Sequence, residues 1–407
     1  MRDEIIVQKY GGTSVANVER IMNVAKKVVS YKKKGYKLVV VVSALGDTTD
    51  DLLDLAHKVM EEPPERELDM LMATGEQAAC ALLSMAITKL GEEAISFTGA
   101  QVGIITDNAH TKARVKDVNA KRIVDELDKG KIVVVAGFQG VTPGNDITTL
   151  GRGGSNLTAV ALAAKLKAKV CEMFTDVDGV YTTDPRLVKD AKKIRQISYE
   201  EMLEMASSGA QVLQARSIEA ASKYDVVIHV RSSFSDEEGT IISKEVKSME
   251  DVVVSGVTLN KSEAKVTICD VPDKPGAASK IFEMLGTANI NVDMIVQNVS
   301  RERITDVSFT VNKDELPKTL KVVNKIVSEI GAKGVVYDDD MAKVSVVGIG
   351  MKSHSGVAAT MFKALADESI NIEMISTSEI KISCVVKKAN GEKAVKVIHK
   401  AFDLGKK

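Results

Sequence analysis

The apolar residues in the first two-thirds of the chain form short β-branched runs separated by segments with helical periodicity. Runs that are apolar at nearly every position are typical of strands covered on both faces of a sheet. Between the first two runs, Val18–Val29 carries apolar residues at helical spacing. This alternation predicts an α/β domain with a mainly parallel sheet. The predicted strands are Ile5–Gln8, Leu38–Val42, Ile132–Ala136, Val170–Phe174 and Val226–Val230.

An internal repeat begins after about residue 248. Gly276–Ile295 aligns with Gly356–Ile375 at an offset of 80 residues and matches it at 8 of 20 positions. Each copy follows a ferredoxin-like βαββαβ plan without a clear last strand. The other elements predicted in the two copies are strands starting at Ala264 and Ala342, strands Thr305–Val311 and Ile380–Val386, and helices Leu316–Ile330 and Ala394–Phe402. We therefore expect three domains, at residues 1–248, 249–337 and 338–407.

The length of the chain agrees with this division into domains, and its charge balance disfavours some classes of partner. A chain of 407 residues suits two or three domains. Lys and Arg total 55 against 56 Asp and Glu, so no excess of positive charge favours a nucleic-acid partner. The N-terminus lacks the apolar core of a secretory signal, and no uninterrupted apolar run approaches the ~20 residues that span a bilayer. We expect a cytoplasmic protein with no membrane partner.

The cysteines and histidines do not indicate a metal site. The five His residues form no HExxH-like cluster, so a zinc enzyme is disfavoured. The four Cys residues are widely spaced in apolar surroundings, which predicts reduced, buried thiols. They are Cys80, Cys171, Cys269 and Cys384.

Two glycine-rich loops carry the candidate chemistry of the first domain. Lys9–Ser14 follows a predicted strand, and Gly151–Asn156 opens the predicted helix Leu157–Leu166. Backbone N–H groups in such loops can hold a phosphate. Neither loop matches GxxxxGK[ST] or GxGxxG, and each alone is more often only a turn. Two loops in one α/β domain, each with a cation, favour phosphate binding.

A third polar segment, Phe174–Arg186, leaves a predicted buried strand. Its Asp176 and Asp178-Gly179 superficially resemble a calcium loop, but the third acidic position and the terminal Glu are missing. A solvated turn remains the alternative on turn chemistry alone.

The segments KYGGTS, GRGGSN and FTDVDGVYTTDPR resemble the signature segments of aspartokinases, which belong to the amino-acid kinase superfamily. SALGDTTD, TGEQ and VAGFQG follow in family order, and the C-terminal repeat resembles the two ACT domains of that family. The resemblance implies transfer of the γ-phosphoryl group of ATP to the side-chain carboxylate of L-aspartate. The product would be 4-phospho-L-aspartate, in the first step of lysine, threonine and methionine biosynthesis. Mg²⁺ would arrive with ATP and without protein ligands.

The resemblance also assigns roles by position. Lys9 and Arg152 would be catalytic, with Arg152 on the α-carboxylate of aspartate and Glu76 on its ammonium. A planar guanidinium suits bidentate carboxylate recognition, and a carboxylate is the natural partner of an ammonium. The residues implied for ATP are Lys9, Tyr10, Gly11, Gly12, Ser14, Thr175, Asp176, Tyr181, Asp184 and Arg186. Those implied for aspartate are Ser43, Asp47, Thr49, Glu76, Arg152, Gly153, Gly154 and Ser155.

For the C-terminal repeat, the resemblance implies feedback inhibition by lysine, threonine or both, and a homodimer or tetramer assembled through the ACT domains. A purely structural dimerisation unit is the alternative. In some aspartokinases an internal start yields a separate regulatory subunit, and Met249 stands where such a start would lie, although a mid-chain Met is more often only a residue. The implied effector residues are Asp273, Asn291, Asp293, Gln297, Asn371, Ile372, Ser378 and Glu379.

Two positions depart from the family pattern. Many aspartokinases carry Asp where this chain has Asn156, and some carry Lys near the nucleotide where it has Gln211. The attacking carboxylate is already ionised at neutral pH, so the reaction needs no strong base and tolerates Asn156. The competing hypotheses are a kinase of another amino acid, such as glutamate, and a catalytically inactive amino-acid sensor.

Overall fold

A computed structural model describes residues 4–210, 212–244, 253–298 and 303–405. Their contacts divide into two compact units. The first unit holds residues 4–180, 193–206 and 212–244, and the second holds residues 181–192, 207–210 and the described residues from 253 onward. Gln211 and Met249 lie outside the described residues.

The first unit alternates strands with helices, as the apolar pattern predicts. Its strands are β1 (Ile5–Tyr10), β2 (Lys37–Val42), β3 (Ala94–Phe97), β4 (Ile104–Thr106), β5 (Val115–Val118), β6 (Ile132–Ala136), β7 (Gln139–Val141), β8 (Ile147–Thr149), β9 (Val170–Thr175), β10 (Val180–Tyr181), β11 (Lys193–Ile194), β12 (Gln196–Ser198), β13 (Ile228–Ser232) and β14 (Thr240–Ser243). Its helices are α1 (Val18–Lys33), α2 (Thr48–Val59), α3 (Glu65–Lys89), α4 (Lys121–Asp128), α5 (Gly154–Leu166), α6 (Tyr199–Ser207) and α7 (Ala215–Tyr224).

The main sheet of this unit has the order β12-β14-β13-β9-β1-β2-β6-β3 among the described strands. Every neighbouring pair except β13–β14 is parallel, which confirms the predicted mainly parallel sheet. Val39 and Val40 point to opposite faces and both are fully buried, because helices cover both faces. The carboxyl ends of β1, β2, β6 and β9 therefore meet at one edge, where α/β sheets bind their ligands. A smaller sheet has the order β5-β4-β7-β8.

One predicted strand is shifted by two residues. We predicted Val226–Val230, but β13 is Ile228–Ser232. Helix α7 ends with Asp225 in the left-handed conformation, at φ 52°, and the Val226 N–H bonds back to the carbonyl of Ala221. Val226 and Val227, the first two residues of the apolar run, therefore belong to the turn that ends the helix, and the strand begins at Ile228.

Helices α1 and α3 share a core with one face of the sheet, in which Val28, Leu38 and Leu83 are buried. Helix α3 is the described helix that is long and apolar enough to cross a membrane. However, 56% of its most apolar 18-residue stretch is buried inside the fold, as in a core helix. Helix α5 packs on β1 and β2 and begins inside the second glycine loop, three residues before the predicted start.

The second unit contains the repeat. Its described strands form one sheet in the order β16-β17-β15-β18-β20-β19. The strands are β15 (Gly256–Pro272), β16 (Ile295–Gln297), β17 (Ile304–Asn312), β18 (Gly334–Val347), β19 (Met374–Thr377) and β20 (Lys381–Lys387), and the helices are α8 (Ala277–Thr287), α9 (Leu316–Ile330), α10 (Val357–Asp367) and α11 (Gly391–Ala401).

The missing last strand of each repeat is one half of a long strand whose other half opens the other repeat. The long strands β15 and β18 run antiparallel, with Gly256 opposite Val347 and Cys269 opposite Gly334. The start of β18 completes the first ferredoxin-like order, and the start of β15 completes the second. The predicted boundary between the two repeats, at residue 338, therefore lies inside the continuous strand β18.

Residues 181–192 pack with the second repeat. Val188 and Ala191 are buried in the same core as Val344 and Ile398. The Thr182 hydroxyl lies 3.0 Å from Nε2 of His399, within the same unit.

The cysteines are free in the structure. Cys80, Cys171 and Cys384 are buried, as predicted, but Cys269 is only partly buried. Burial raises the pKa of Cys80 and Cys384 to about 12, so these thiols stay protonated at neutral pH.

Candidate active site

The first glycine loop contacts the loop that follows β2. A Cβ atom on Gly12 would lie 2.9 Å from the carbonyl oxygen of Gly46 and 3.0 Å from that of Ala44. The Gly46 N–H donates to the Gly12 carbonyl at 3.1 Å. Only glycine allows this approach of two backbones. The predicted phosphate loop is thereby joined to the predicted substrate loop.

Lys9 lies near the carboxyl end of β1, next to Cys171 and Asp176. Burial lowers the pKa of Lys9 to about 8, although the Asp176 charge favours the protonated form. Its ammonium makes no hydrogen bond or ion pair with any residue that the structure describes. Since a half-buried cation without a partner is costly, this position is suited to an anionic ligand.

The side chains of Tyr10 and Ser14 are buried, which limits how they could contact a nucleotide. The Tyr10 ring is fully buried and stacks on Phe174 with centroids 4.7 Å apart. A nucleotide contact from Tyr10 could therefore use only its backbone. Ser14 is also buried, and its hydroxyl lies 2.5 Å from that of Ser233, a residue that sequence reasoning missed. Ser233 directly follows β13, whose end joins the same sheet edge.

The residues predicted after β2 lie on a single loop. The Ser43 N–H donates to the Tyr10 carbonyl at 3.1 Å, which places Ser43 beside the end of β1. Asp47 is exposed and precedes α2 without capping it, and Thr49 lies in the first turn of that helix.

Glu76 is a buried carboxylate with one unused oxygen. Helix α3 carries it into the interior, where its side chain is 2% exposed. Oε1 accepts the Ala44 N–H at 3.2 Å, next to Ser43. Oε2 is buried and has no hydrogen-bond partner among the described residues. Burial raises the pKa of Glu76 to about 7.

The second glycine loop, here called the arginine loop (Gly151–Asn156), has a constrained backbone. Gly151 and Gly153 have φ values of 77° and 72°, in the left-handed region that favours glycine. Gly154 begins α5, and its N–H donates to the Gly151 carbonyl. Arg152 is exposed and makes no hydrogen bond or ion pair within the described ranges. Its guanidinium is therefore available to a ligand.

Ser155 and Asn156 lie in the first turn of α5 and are buried. A Cβ atom on Gly137 would lie 2.7 Å from the Ser155 hydroxyl and 2.9 Å from the Val42 carbonyl oxygen. Gly137 follows β6, so its lack of a side chain lets the ends of β2, β6 and α5 meet. The predicted substrate residues on these elements are thereby brought together.

The predicted nucleotide segment is divided between the two units. Thr175 ends β9 in the first unit and Asp176 follows it, and the Thr175 hydroxyl donates to the Asp176 carboxylate at 2.9 Å. Tyr181, Asp184 and Arg186 belong to the second unit. Arg186 pairs with Asp184 at 2.7 Å, and this pairing lowers the pKa of Asp184. Neither unit alone contains the full predicted set.

Comparison with known proteins identifies the family. Residues 4–232 match the amino acid kinase family, and residues 265–328 and 344–402 each match an ACT domain. An aspartokinase from Mycolicibacterium smegmatis is 52% identical over 406 residues, covering 98% of this chain and 96% of that protein.

The chain belongs to the aspartokinase family.

Solved aspartokinase structures agree with this assignment. Escherichia coli aspartokinase III in complex with aspartate and ADP has a TM-score of 0.85 and 25% identity, covering 98% of this chain and 99% of that one. The same enzyme with lysine and aspartate has a TM-score of 0.75, covering 98% and 100%. As an aspartate kinase, the protein transfers a phosphoryl group to the aspartate carboxyl group. This assignment favours aspartate over glutamate as the substrate and an active kinase over an inactive sensor.

The predicted effector residues of this aspartokinase lie on loops and short strands of the ACT sheet. A cavity of about 330 Å³ includes Ile372 and Val296, so it joins the two repeats next to Gln297. Asp273, Asn291, Ser378 and Glu379 are exposed and do not line this cavity. The Asn371 amide donates to Glu373 at 3.1 Å.

Two lysine–carboxylate pairs relate the ACT repeats by approximate twofold symmetry. Lys343 of the second repeat bonds Asp293 of the first, and Lys265 of the first lies 3.8 Å from Glu373 of the second. Asp293 and Glu373 are equivalent in the 80-residue alignment. Lys343 is 3% exposed and also pairs with Glu263 at 2.8 Å. The Lys265–Glu373 pair lines the cavity, and sequence reasoning missed both residues.

Proposed function

We propose that the carboxyl edge of the main sheet binds ATP at the Lys9–Ser14 loop and aspartate between Glu76 and Arg152. The observation that carries this proposal is Oε2 of Glu76, a buried carboxylate oxygen without a partner in the described parts of the chain. A substrate ammonium would supply the missing hydrogen bond and charge. The exposed Arg152 would then take the α-carboxylate. The neighbour bound to aspartate and ADP supports this pairing of ligands.

In the proposed reaction, the ionised side-chain carboxylate of aspartate attacks the γ-phosphorus of ATP and releases ADP. The product is 4-phospho-L-aspartate, and no proton must be removed from the nucleophile. The unpaired Lys9 ammonium stabilises the charge on the transferring phosphoryl group. This role would raise the pKa of Lys9 from its value of about 8 once phosphate is bound.

We propose that Mg²⁺ enters with ATP and neutralises charge on its phosphates. Asn156 fits this scheme because positioning and charge neutralisation, rather than general-base catalysis, accelerate the transfer. The reaction would be the first step of lysine, threonine and methionine biosynthesis, in the cytoplasm.

We further propose feedback inhibition by lysine, threonine or both at the ACT repeats. A lysine-bound relative and the cavity between the repeats support this regulation. The effector can inhibit only if it binds the inactive arrangement more tightly than the active one. Exposed apolar side chains on the ACT strands favour self-association as a homodimer or tetramer, which sedimentation would measure. They are Ile295, Ile304, Val336, Tyr337 and Ile375.

The proposal is tested by trapping the acyl phosphate with hydroxylamine. Enzyme, ATP, Mg²⁺ and hydroxylamine should give aspartyl hydroxamate with aspartate and far less product with glutamate. Lys9→Ala should abolish hydroxamate formation, and Arg152→Ala should raise KM for aspartate more than KM for ATP. Hydroxamate formation by Lys9→Ala at the wild-type rate would refute the assigned site. Adding lysine and threonine singly and together would identify the effector.

A further inference from the structure

Asp69 is a fully buried carboxylate on α3, seven residues before Glu76. This spacing places both acids on one face of the helix. Each Asp69 oxygen accepts hydrogen bonds: from the Thr149 hydroxyl at 2.5 Å, from the Thr111 N–H at 3.0 and 3.1 Å, and from Nδ1 of His110 at 2.8 Å. A buried charge with this many donors fixes the segments that supply them.

Those segments support the arginine loop. Thr149 ends β8, three residues before Arg152, and its carbonyl accepts the Ala113 N–H at 2.9 Å. The Thr111 carbonyl oxygen lies 3.3 Å from the position of a Cβ atom on Gly151. Asp69 therefore holds both the strand that leads into the loop and the turn that packs against it.

The turn is held in an unfavourable conformation. Thr111 has a φ of 63°, in the left-handed region that β-branched residues rarely adopt. Such a residue persists only where its surroundings compensate for the strain, and it often occurs near functional sites. The two Asp69 oxygens that receive the Thr111 N–H provide this compensation.

Arg216 of α7 holds the loop through its other neighbours. Nη1 donates to the Leu150 carbonyl at 2.7 Å, and Nη2 donates to the Ala113 carbonyl at 2.9 Å. A single planar guanidinium thus connects the residue before the loop to the segment that leads into β5. The Gln214 side chain lies 2.5 Å from the position of a Cβ atom on Gly153.

We propose that Asp69 and Arg216 are positioning residues that hold the arginine loop so that Arg152 meets the α-carboxylate of aspartate. Through α3, Asp69 also fixes this loop relative to Glu76, which takes the ammonium. The spacing of the two substrate contacts is thereby set by one helix. This inference rests on the proposed roles of Arg152 and Glu76.

The test is a pair of substitutions on adjacent buried threonines. Thr149→Val keeps the side-chain shape but removes the hydroxyl that donates a hydrogen bond to Asp69. Thr149→Ser keeps that hydroxyl. Thr148→Val is the matched control, because the Thr148 hydroxyl bonds Thr106 at 2.6 Å instead. We expect Thr149→Val to raise KM for aspartate about tenfold, with KM for ATP changed less than about twofold. Thr149→Ser and Thr148→Val should retain the wild-type KM for aspartate.

Asp69→Asn and Arg216→Lys extend the test. The NH2 group of Asn would face donors at one of the two positions where an Asp69 oxygen accepts hydrogen bonds. Lys cannot bridge two carbonyls in one plane. Both should raise KM for aspartate about tenfold or more while circular dichroism shows a folded protein. Thermal unfolding of every variant separates positioning from stability, since Thr148→Val should lower the midpoint without changing KM.

The proposal is overturned if Thr149→Val and Asp69→Asn change KM for aspartate no more than Thr148→Val does. A parallel rise of KM for ATP would also overturn it, because that pattern indicates general damage to the fold. Arg152→Ala separates the two proposals. If Arg152→Ala raises KM for aspartate and Asp69→Asn does not, only the positioning role fails. If Arg152→Ala leaves KM for aspartate unchanged, the substrate role of Arg152 fails and the positioning role fails with it.

Discussion

Replacement of Glu76 by Gln should lower activity and raise stability at the same time. Glu76 is 2% exposed, burial raises its pKa to about 7, and its Oε2 has no partner among the residues described. The ordinary pKa in the unfolded chain is 4.5. The carboxylate form therefore destabilises the fold, and this form becomes dominant as the pH rises above 7. Gln keeps the shape and removes the charge.

The expected size of each effect follows from these values. Loss of a charge-assisted hydrogen bond of about 1.5–3 kcal/mol should lower kcat/KM for aspartate about 10- to 150-fold at pH 8. Below pH 7, wild-type kcat/KM should fall about tenfold per pH unit as Glu76 becomes protonated, so the difference between the two enzymes narrows. The buried charge should lower the free energy of unfolding of the wild type by up to about 3 kcal/mol at pH 8. Below pH 4.5 Glu76 is protonated in both the folded and the unfolded chain, so this destabilisation disappears.

The assay is hydroxamate formation between pH 5.5 and 9, combined with thermal unfolding at pH 5 and 8. The wild type should lose activity on the acidic side near pH 7, and Glu76→Gln should lack this limb and have the higher melting temperature at pH 8. If the variant retains the acidic limb, or is less stable than the wild type at pH 8, the reasoning about Glu76 is wrong.

Three further predictions follow from single residues. In the wild type, kcat/KM should fall above about pH 8 as Lys9 loses its proton. Lys9→Arg should move this fall to higher pH, because a guanidinium stays charged. A fall at the same pH in both enzymes would show that another group causes it. Gly12→Ala should lower the unfolding free energy by about 1–3 kcal/mol, since its Cβ would meet a backbone carbonyl at 2.9 Å, whereas Gly286→Ala, with open space, should not. Lys343→Met should destabilise the ACT unit by about 3–5 kcal/mol in urea unfolding, because it leaves the buried Glu263 carboxylate without its cation. Stability equal to the wild type would show that the ion pairs of Lys343 contribute nothing.

The sheet could be predicted from the sequence because burial on both faces leaves a simple apolar signal. Ile132–Ala136 is a strand with the predicted bounds. Val226 was misplaced because an apolar residue at a helix terminus has the same local pattern as the start of a strand. The last strands of the ACT repeats depend on pairing between residues far apart in sequence, such as Cys269 with Gly334 and Gly256 with Val347. No local periodicity records that pairing.

The loops of the site could be predicted because their backbone approaches require glycine. Gly12 and Gly151 keep this signature in the sequence, at a close contact and at a positive φ. The supporting residues carry weaker signals. Asp69 shares α3 with Glu65, Glu67 and Glu76, so its sequence context does not distinguish it from an exposed acid at the start of the helix. Glu373 could have been found from the repeat alignment, because it is equivalent to Asp293.

The recognition of aspartate by Glu76 is tested most directly by comparing aspartate with succinate, which lacks the α-ammonium. Isothermal titration in the presence of a non-hydrolysable ATP analogue and Mg²⁺ would measure both dissociation constants for the wild type and for Glu76→Gln. Because a buried carboxylate would be left unpaired by succinate, the wild type should prefer aspartate at least about tenfold. In Glu76→Gln the preference should fall below about threefold. Equal preference in the two proteins would contradict the assignment of Glu76 to the substrate ammonium.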